Sequence, residues 1–88
     1  MLFGLLITST MFAQQRTISG RVISDEEPDG LIGVNILVKG TLTGVVTDLD
    51  GYYNVQVPDG AATLVFSYIG YLSKEEAIGN RSEINVSL

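Results

Sequence analysis

Val38-Lys39-Gly40-Thr41-Leu42-Thr43-Gly44-Val45-Val46-Thr47-Asp48-Leu49-Asp50-Gly51-Tyr52-Tyr53 alternates β-branched runs with glycine and aspartate. It reads as strand, glycine turn, strand, acidic turn, strand. Gly40 and Gly44 bracket one reversal, and Asp48-Leu49-Asp50-Gly51 forms the next. Asp at the first position and Gly at the fourth suit a type I turn. Such punctuation between β-branched runs predicts consecutive β-hairpins. Gly40, Gly44, Asp48, Asp50 and Gly51 are therefore candidate turn-forming residues.

Working outward, the same grammar continues in both directions. Seven strands are predicted: 16–24, 33–39, 43–47, 52–57, 62–69, 71–77 and 83–88. In the second, Val34, Ile36 and Val38 alternate with Asn35, Leu37 and Lys39. In the fourth, Tyr53, Val55 and Val57 alternate with Tyr52, Asn54 and Gln56. Period-two alternation turns one set toward a core and the other toward water. Pro-Asp-Gly occurs at 28–30 and 58–60, where Gly60 takes the turn position, and Gly70 parts the fifth and sixth strands. Short strands at regular spacing predict an all-β sandwich or barrel.

The fifth segment breaks the alternation. Leu64-Val65-Phe66-Ser67-Tyr68-Ile69 is apolar on nearly both faces. A strand covered on both sides, or one meeting another domain, reads this way. Val65 and Ile69 are the candidate contact residues on its second face. Tyr52 is a second candidate, as an exposed aromatic that could stack on a sugar, although cross-strand packing is the ordinary role of such residues.

Composition narrows the chemistry. Eighty-eight residues make one small domain. A net charge of -5, with only Arg16, Arg21, Lys39, Lys74 and Arg81 as scattered cations, argues against nucleic acid or an anionic membrane. No cysteine is present, which excludes disulfides, thiolate metal sites and cysteine nucleophiles. No histidine is present, which removes the commonest general base and zinc ligand and any serine triad within the chain. Asp48 and Asp50 share one tight turn, so turn formation explains them without glycosidase-type catalysis. An EF-hand would need further acidic ligands after Asp50, where Tyr52 stands instead. The expectation is a non-enzyme with no catalytic residue, metal or cofactor.

The first residues differ from the rest. Leu2 to Ala13 carry no charge, with Leu2-Phe3-Gly4-Leu5-Leu6-Ile7 as the apolar centre. This matches the hydrophobic region of a secretory signal peptide and is too short to span a bilayer as a helix. No Lys or Arg precedes it, as in a signal shortened at its N-terminus. The predicted organisation is a signal peptide at 1–13 and an exported sandwich at 14–88, with no direct insertion of this chain into a bilayer.

Taken together, the motifs resemble one known module. Ile18-Ser19-Gly20-Arg21-Val22-Ile23-Ser24-Asp25 resembles its opening strand, and Leu31-Ile32-Gly33-Val34-Asn35-Ile36-Leu37-Val38-Lys39-Gly40-Thr41 its second. Gly44-Val45-Val46-Thr47-Asp48-Leu49-Asp50-Gly51-Tyr52-Tyr53 resembles its central hairpin, and Leu64-Val65-Phe66-Ser67-Tyr68-Ile69-Gly70-Tyr71 the strand–glycine–aromatic segment near its end. The module is the carboxypeptidase-regulatory-like domain. The resemblance implies a seven-stranded, transthyretin-like Greek-key β-sandwich. The chain is most similar in flavour to the N-terminal extension of SusC/RagA-type TonB-dependent outer-membrane receptors of Bacteroidetes.

That resemblance implies a non-catalytic module at the periplasmic face of a Gram-negative outer membrane. Its implied partners are the plug and barrel of a nutrient receptor, or the TonB system. These residues hold too few strands for a barrel, so the chain by itself is not expected to transport anything. A free-standing exported sandwich that binds carbohydrate or protein is the alternative, as is an accessory domain of a carboxypeptidase. One departure is visible: the family places proline before Leu31, where this chain has Gly30 and carries Pro28 two residues earlier. The exchange is expected to loosen that loop.

Overall fold

The computed structural model describes residues 15–88, so the leader expected at 1–13 lies outside the described residues. Seven strands are present: β1 (Gln15–Ile23), β2 (Asn35–Val38), β3 (Gly44–Val46), β4 (Tyr52–Pro58), β5 (Thr63–Ser67), β6 (Lys74–Ala77) and β7 (Val86–Ser87). They form a three-stranded sheet in the order β4-β1-β7 and a four-stranded sheet in the order β3-β2-β5-β6. The two sheets face each other as a sandwich. All pairings are antiparallel except β1 with β7, which run parallel.

Alternation fills the interior as expected from the sequence. Val34, Ile36 and Val38 are fully buried from the second predicted segment, and Val55 and Val57 from the fourth. Ile18, Val22, Leu64, Phe66, Ile78 and Ile84 are fully buried as well, and Leu31, Tyr53 and Val86 nearly so. Phe66 meets Tyr53 edge-on, with ring centroids 5.6 Å apart. Full burial of each such side chain contributes roughly 1.5–3 kcal/mol.

The expectation of consecutive hairpins holds only in part. β2 and β3 pair as a hairpin, with Ile36 opposite Val45. β3 and β4 do not pair, because the acidic turn carries the chain from one sheet to the other. Thr47 is held in the four-stranded sheet, donating its N–H to the Val34 carbonyl at 3.0 Å and accepting from the Gly33 N–H at 3.2 Å. Tyr52 already lies opposite Arg21 in the other sheet. The four residues between them are a crossover.

Several strands are shorter than the apolar pattern implies. β5 stops at Ser67 rather than at residue 69, since the Tyr71 N–H bonds the Tyr68 carbonyl at 3.1 Å and closes a turn there. That turn absorbs 71–73, so β6 begins only at Lys74. β7 is reduced to two residues, with Glu83 making an isolated bridge to Ser19 upstream.

Candidate functional site

The acidic turn is the most conspicuous motif, and one of its carboxylate oxygens folds back onto its own backbone. The Asp48 carboxylate Oδ1 accepts from the backbone N–H groups of Asp50 and Tyr52, both at 2.9 Å. The Gly51 N–H bonds the Asp48 carbonyl at 3.0 Å, closing the turn. Ahead of it, the buried Thr47 hydroxyl donates to the Leu31 carbonyl at 2.5 Å and accepts from the Val34 N–H at 2.9 Å. Asp48 Oδ1 and the Thr47 hydroxyl thereby hold backbone in place, while the Asp50 carboxylate is exposed.

Gly30 tightens this region rather than loosening it. A methyl group on Gly51 would overlap the Val22 carbonyl and lie 2.9 Å from the Gly30 Cα. A methyl on Gly30 would in turn overlap the Asp50 carbonyl. Only two bare backbones pack this closely. Arg21 ties the same two loops, donating from Nε to the Asp50 carbonyl at 2.9 Å and from Nη2 to the Asp29 carbonyl at 2.6 Å.

Tyr52 lies on the outer face of the three-stranded sheet and is half exposed. The Arg21 guanidinium stacks over its ring at 4.9 Å from the centroid. One face of the proposed sugar platform is therefore occupied by a cation. Beside it, Tyr53 points inward and donates its hydroxyl to the Ile84 carbonyl at 2.7 Å. Burial pushes the Tyr53 hydroxyl up to about 12, with Arg81 lowering and Glu76 raising it to lesser degrees.

The opposite outer face is different in kind. Across the four-stranded sheet, Gly44, Leu37, Val65 and Glu75 stand in one row. Val46, Asn35 and Ser67 stand in the next. A shallow groove of about 520 Å³ runs along these rows, lined by Leu37, Val46 and Ser67 among others. Val46 is 60% exposed and Leu37 40%. Lys39 and Glu75 pair at 3.0 Å on the same sheet.

The three contact candidates read from the sequence do not form one surface. Val65 joins Leu37 and Val46 on the four-stranded sheet, half-buried among them. Ile69 is 95% exposed on the loop beyond β5, with Leu72 close to it in sequence and equally exposed. Tyr52 is on the other sheet. Among the turn candidates, Gly40, Gly51, Gly60 and Gly70 adopt positive φ. Gly44 instead opens β3, paired with Leu37, and the reversal is closed by Thr41, whose hydroxyl bonds the Val38 carbonyl at 2.8 Å. Sequence reading missed Thr41 and Thr47, whose hydroxyls bond the backbone of their own or a neighbouring loop. Among the described residues, no three acidic side chains gather as a metal site.

Comparison with known proteins follows the same lines. The sequence profile of the CarboxypepD_reg-like domain matches residues 18–88. TonB-dependent receptor P3 of Formosa agariphila is 45% identical over 87 residues, which is 99% of this chain and 9% of that receptor. TonB-dependent receptor SusC of Bacteroides thetaiotaomicron is 36% identical over 85 residues, 97% of this chain and 8% of the receptor. The chain thus spans less than a tenth of the curated relatives it matches. Among solved structures, a chain in a mutant type II cohesin-X-dockerin complex from Acetivibrio cellulolyticus superimposes with a TM-score of 0.61 at 25% identity. The match covers 82% of this chain and 52% of the other.

Proposed function

Since the chain belongs to the CarboxypepD_reg-like domain family, we propose that it serves as a non-catalytic docking module within a TonB-dependent outer-membrane receptor. One observation carries this reading. Nearly the whole chain aligns with such receptors, while Thr47 and Asp48 of its most distinctive motif bond the chain's own backbone. A module of this kind works through its surface. The candidate surface is the Leu37–Val46–Val65 face, because exposed adjacent apolar residues on a sheet gain most from being covered. In this reading the module sits at the periplasmic side of the membrane, exported by the apolar stretch Leu2–Ala13. It meets other parts of the receptor or its energising partner.

The test uses the complete receptor. Val46→Asp, and separately Ile69→Asp, should lower nutrient uptake while leaving the amount of receptor in the outer membrane unchanged. Both residues are exposed, so the melting temperature of the isolated chain should barely move. Phe66→Ala is the contrast, since its side chain is fully buried and its loss costs about 3–5 kcal/mol. Unchanged uptake in both aspartate variants, or a thermal loss matching that of Phe66→Ala, would remove the docking surface from the proposal.

A further inference from the structure

The sandwich has four edge strands, and they are not equally protected. β6 carries Lys74, Glu75 and Glu76. β7 has two residues, with the Lys74 ammonium 3.3 Å from the Ser87 carbonyl. β3 has three residues. β4 has seven, Tyr52-Tyr53-Asn54-Val55-Gln56-Val57-Pro58, and no charged side chain. Charge, shortness, proline and cover are the usual defences of a sheet edge, and β4 has them only at its ends, where Asp48 bonds Tyr52 and Pro58 closes the strand.

The hydrogen bonds reveal which backbone groups line this edge. Tyr52 donates its N–H to the Asp48 carboxylate, and its carbonyl accepts from the Asp48 N–H, so both of its groups point away from β1. In an antiparallel pair the N–H and C=O of one residue point to the same side, and successive residues alternate. Tyr53, Val55 and Val57 therefore bond β1, opposite Gly20, Ile18 and Arg16. Asn54 and Gln56 present their N–H and C=O outward, and neither backbone has a partner among the described residues. Pro58 has no N–H to offer at the far end.

We infer that β4 is a self-association edge, taking β4 of a second copy of this chain antiparallel about a two-fold axis at Val55. The register follows from the free groups. Centred on Val55, Asn54 of one copy faces Gln56 of the other, and every free N–H and C=O of both residues is used. Centred on Asn54, Gln56 would face Tyr52, whose groups are already bonded to Asp48. Centred on Gln56, Asn54 would face Pro58, which cannot donate. The occupant also suits the faces. A second β4 continues the buried row of Tyr53, Val55 and Val57 and the exposed row of Tyr52, Asn54 and Gln56. It sets amide against amide and brings no like charges together on the strand, despite the net charge of -5.

The absence of cysteine makes cross-linking a clean test in the full 88-residue chain. Facing residues of a hydrogen-bonded pair lie about 5.5 Å apart at Cα, within reach of a disulfide. A mixture of Asn54→Cys and Gln56→Cys chains should oxidise to the mixed dimer well above either chain alone. Gln56→Pro removes only an outward N–H, so it should weaken dimerisation roughly tenfold or more without lowering the melting temperature. Asn54→Lys, which sets a charge on the edge, should do the same if the proline variant folds poorly. A chain that stays monomeric in sedimentation at submillimolar concentration overturns the inference. Equal cross-linking by the mixture and by either variant alone, or by a Lys39→Cys control, overturns it as well.

Discussion

The segment Thr47–Tyr53 and the loop Tyr68–Leu72 are similar in length, and each holds one glycine and two tyrosines. Their chemistry differs in emphasis, although Leu49 of the first is also exposed and the Tyr71 hydroxyl of the second also bonds internally, to Ser24. In the first, the Thr47 hydroxyl, the Asp48 carboxylate and the Tyr53 hydroxyl all bond within the molecule. In the second, Tyr68 and Tyr71 pack toward the core and about each other, with centroids 5.9 Å apart. Ile69 and Leu72 are left in water. The residues most distinctive in the sequence are therefore spent on holding two sheets together. Several side chains left exposed, such as Val46, Ile69 and Leu72, are plain apolar ones.

The sharpest way to break this contrast is a methyl group in each region. Gly51 and Gly70 both have positive φ, at 82° and 89°. Around Gly51 a methyl overlaps the Val22 carbonyl and presses on Gly30, whereas around Gly70 it meets nothing within 4 Å. Gly51→Ala should cost about 3 kcal/mol or more in urea unfolding, because sheet-to-sheet backbone must separate. Gly70→Ala should cost about 1 kcal/mol, the left-handed penalty alone. Equal costs would mean that φ, not the close approach to Gly30, governs the acidic turn.

A smaller effect comes from the clasp beside it. Thr47→Val keeps shape but strands the Leu31 carbonyl and the Val34 N–H in a buried site. Leaving buried backbone groups unpaired costs about 1–3 kcal/mol each, so thermal unfolding should shift downward by several degrees. Thr47→Ser keeps both bonds and should recover most of that loss. If it does not, the Thr47 methyl matters more than its hydroxyl.

How far the sequence led depends on whether a feature is local. Alternation alone places Val34, Ile36, Val38, Val55 and Val57 inside, because pleat geometry has a strict period of two. The Asp48–Gly51 turn is equally local and was legible. That this turn changes sheets was not, since Thr47 and Tyr52 are assigned to different sheets by partners at residues 33–34 and 21. The role of Gly30 depends on Gly51 in the same way and cannot be read from its neighbours. The lost alternation near Val65 corresponds to a half-buried outer side of the four-stranded sheet. Leu37 points to that face by its own alternation, while Val46 joins it only through the β2–β3 register. Ile69 was grouped with Val65 because an apolar run does not reveal where its strand stops.

The subtlest expected effect separates neighbours, Tyr52 and Tyr53, one exposed and one sealed. The Tyr53 hydroxyl ionises near 12 in the folded chain because burial penalises the phenolate, whereas an unfolded tyrosine ionises near 10. Below pH 10 both states keep the proton, and this group contributes no pH dependence. Between about pH 10 and about pH 12 the unfolded chain releases its proton while the native chain retains it, so native stability falls through that window. Tyr53→Phe loses the bond to the Ile84 carbonyl and should be less stable near neutrality by about 1–3 kcal/mol. Its own decline above pH 10 should nevertheless be shallower than that of the unsubstituted chain, since every other group is common to both. Urea midpoints compared across the alkaline range measure the difference directly. Parallel curves would place the Tyr53 hydroxyl in contact with water and with it open the end of the segment that otherwise closes on itself.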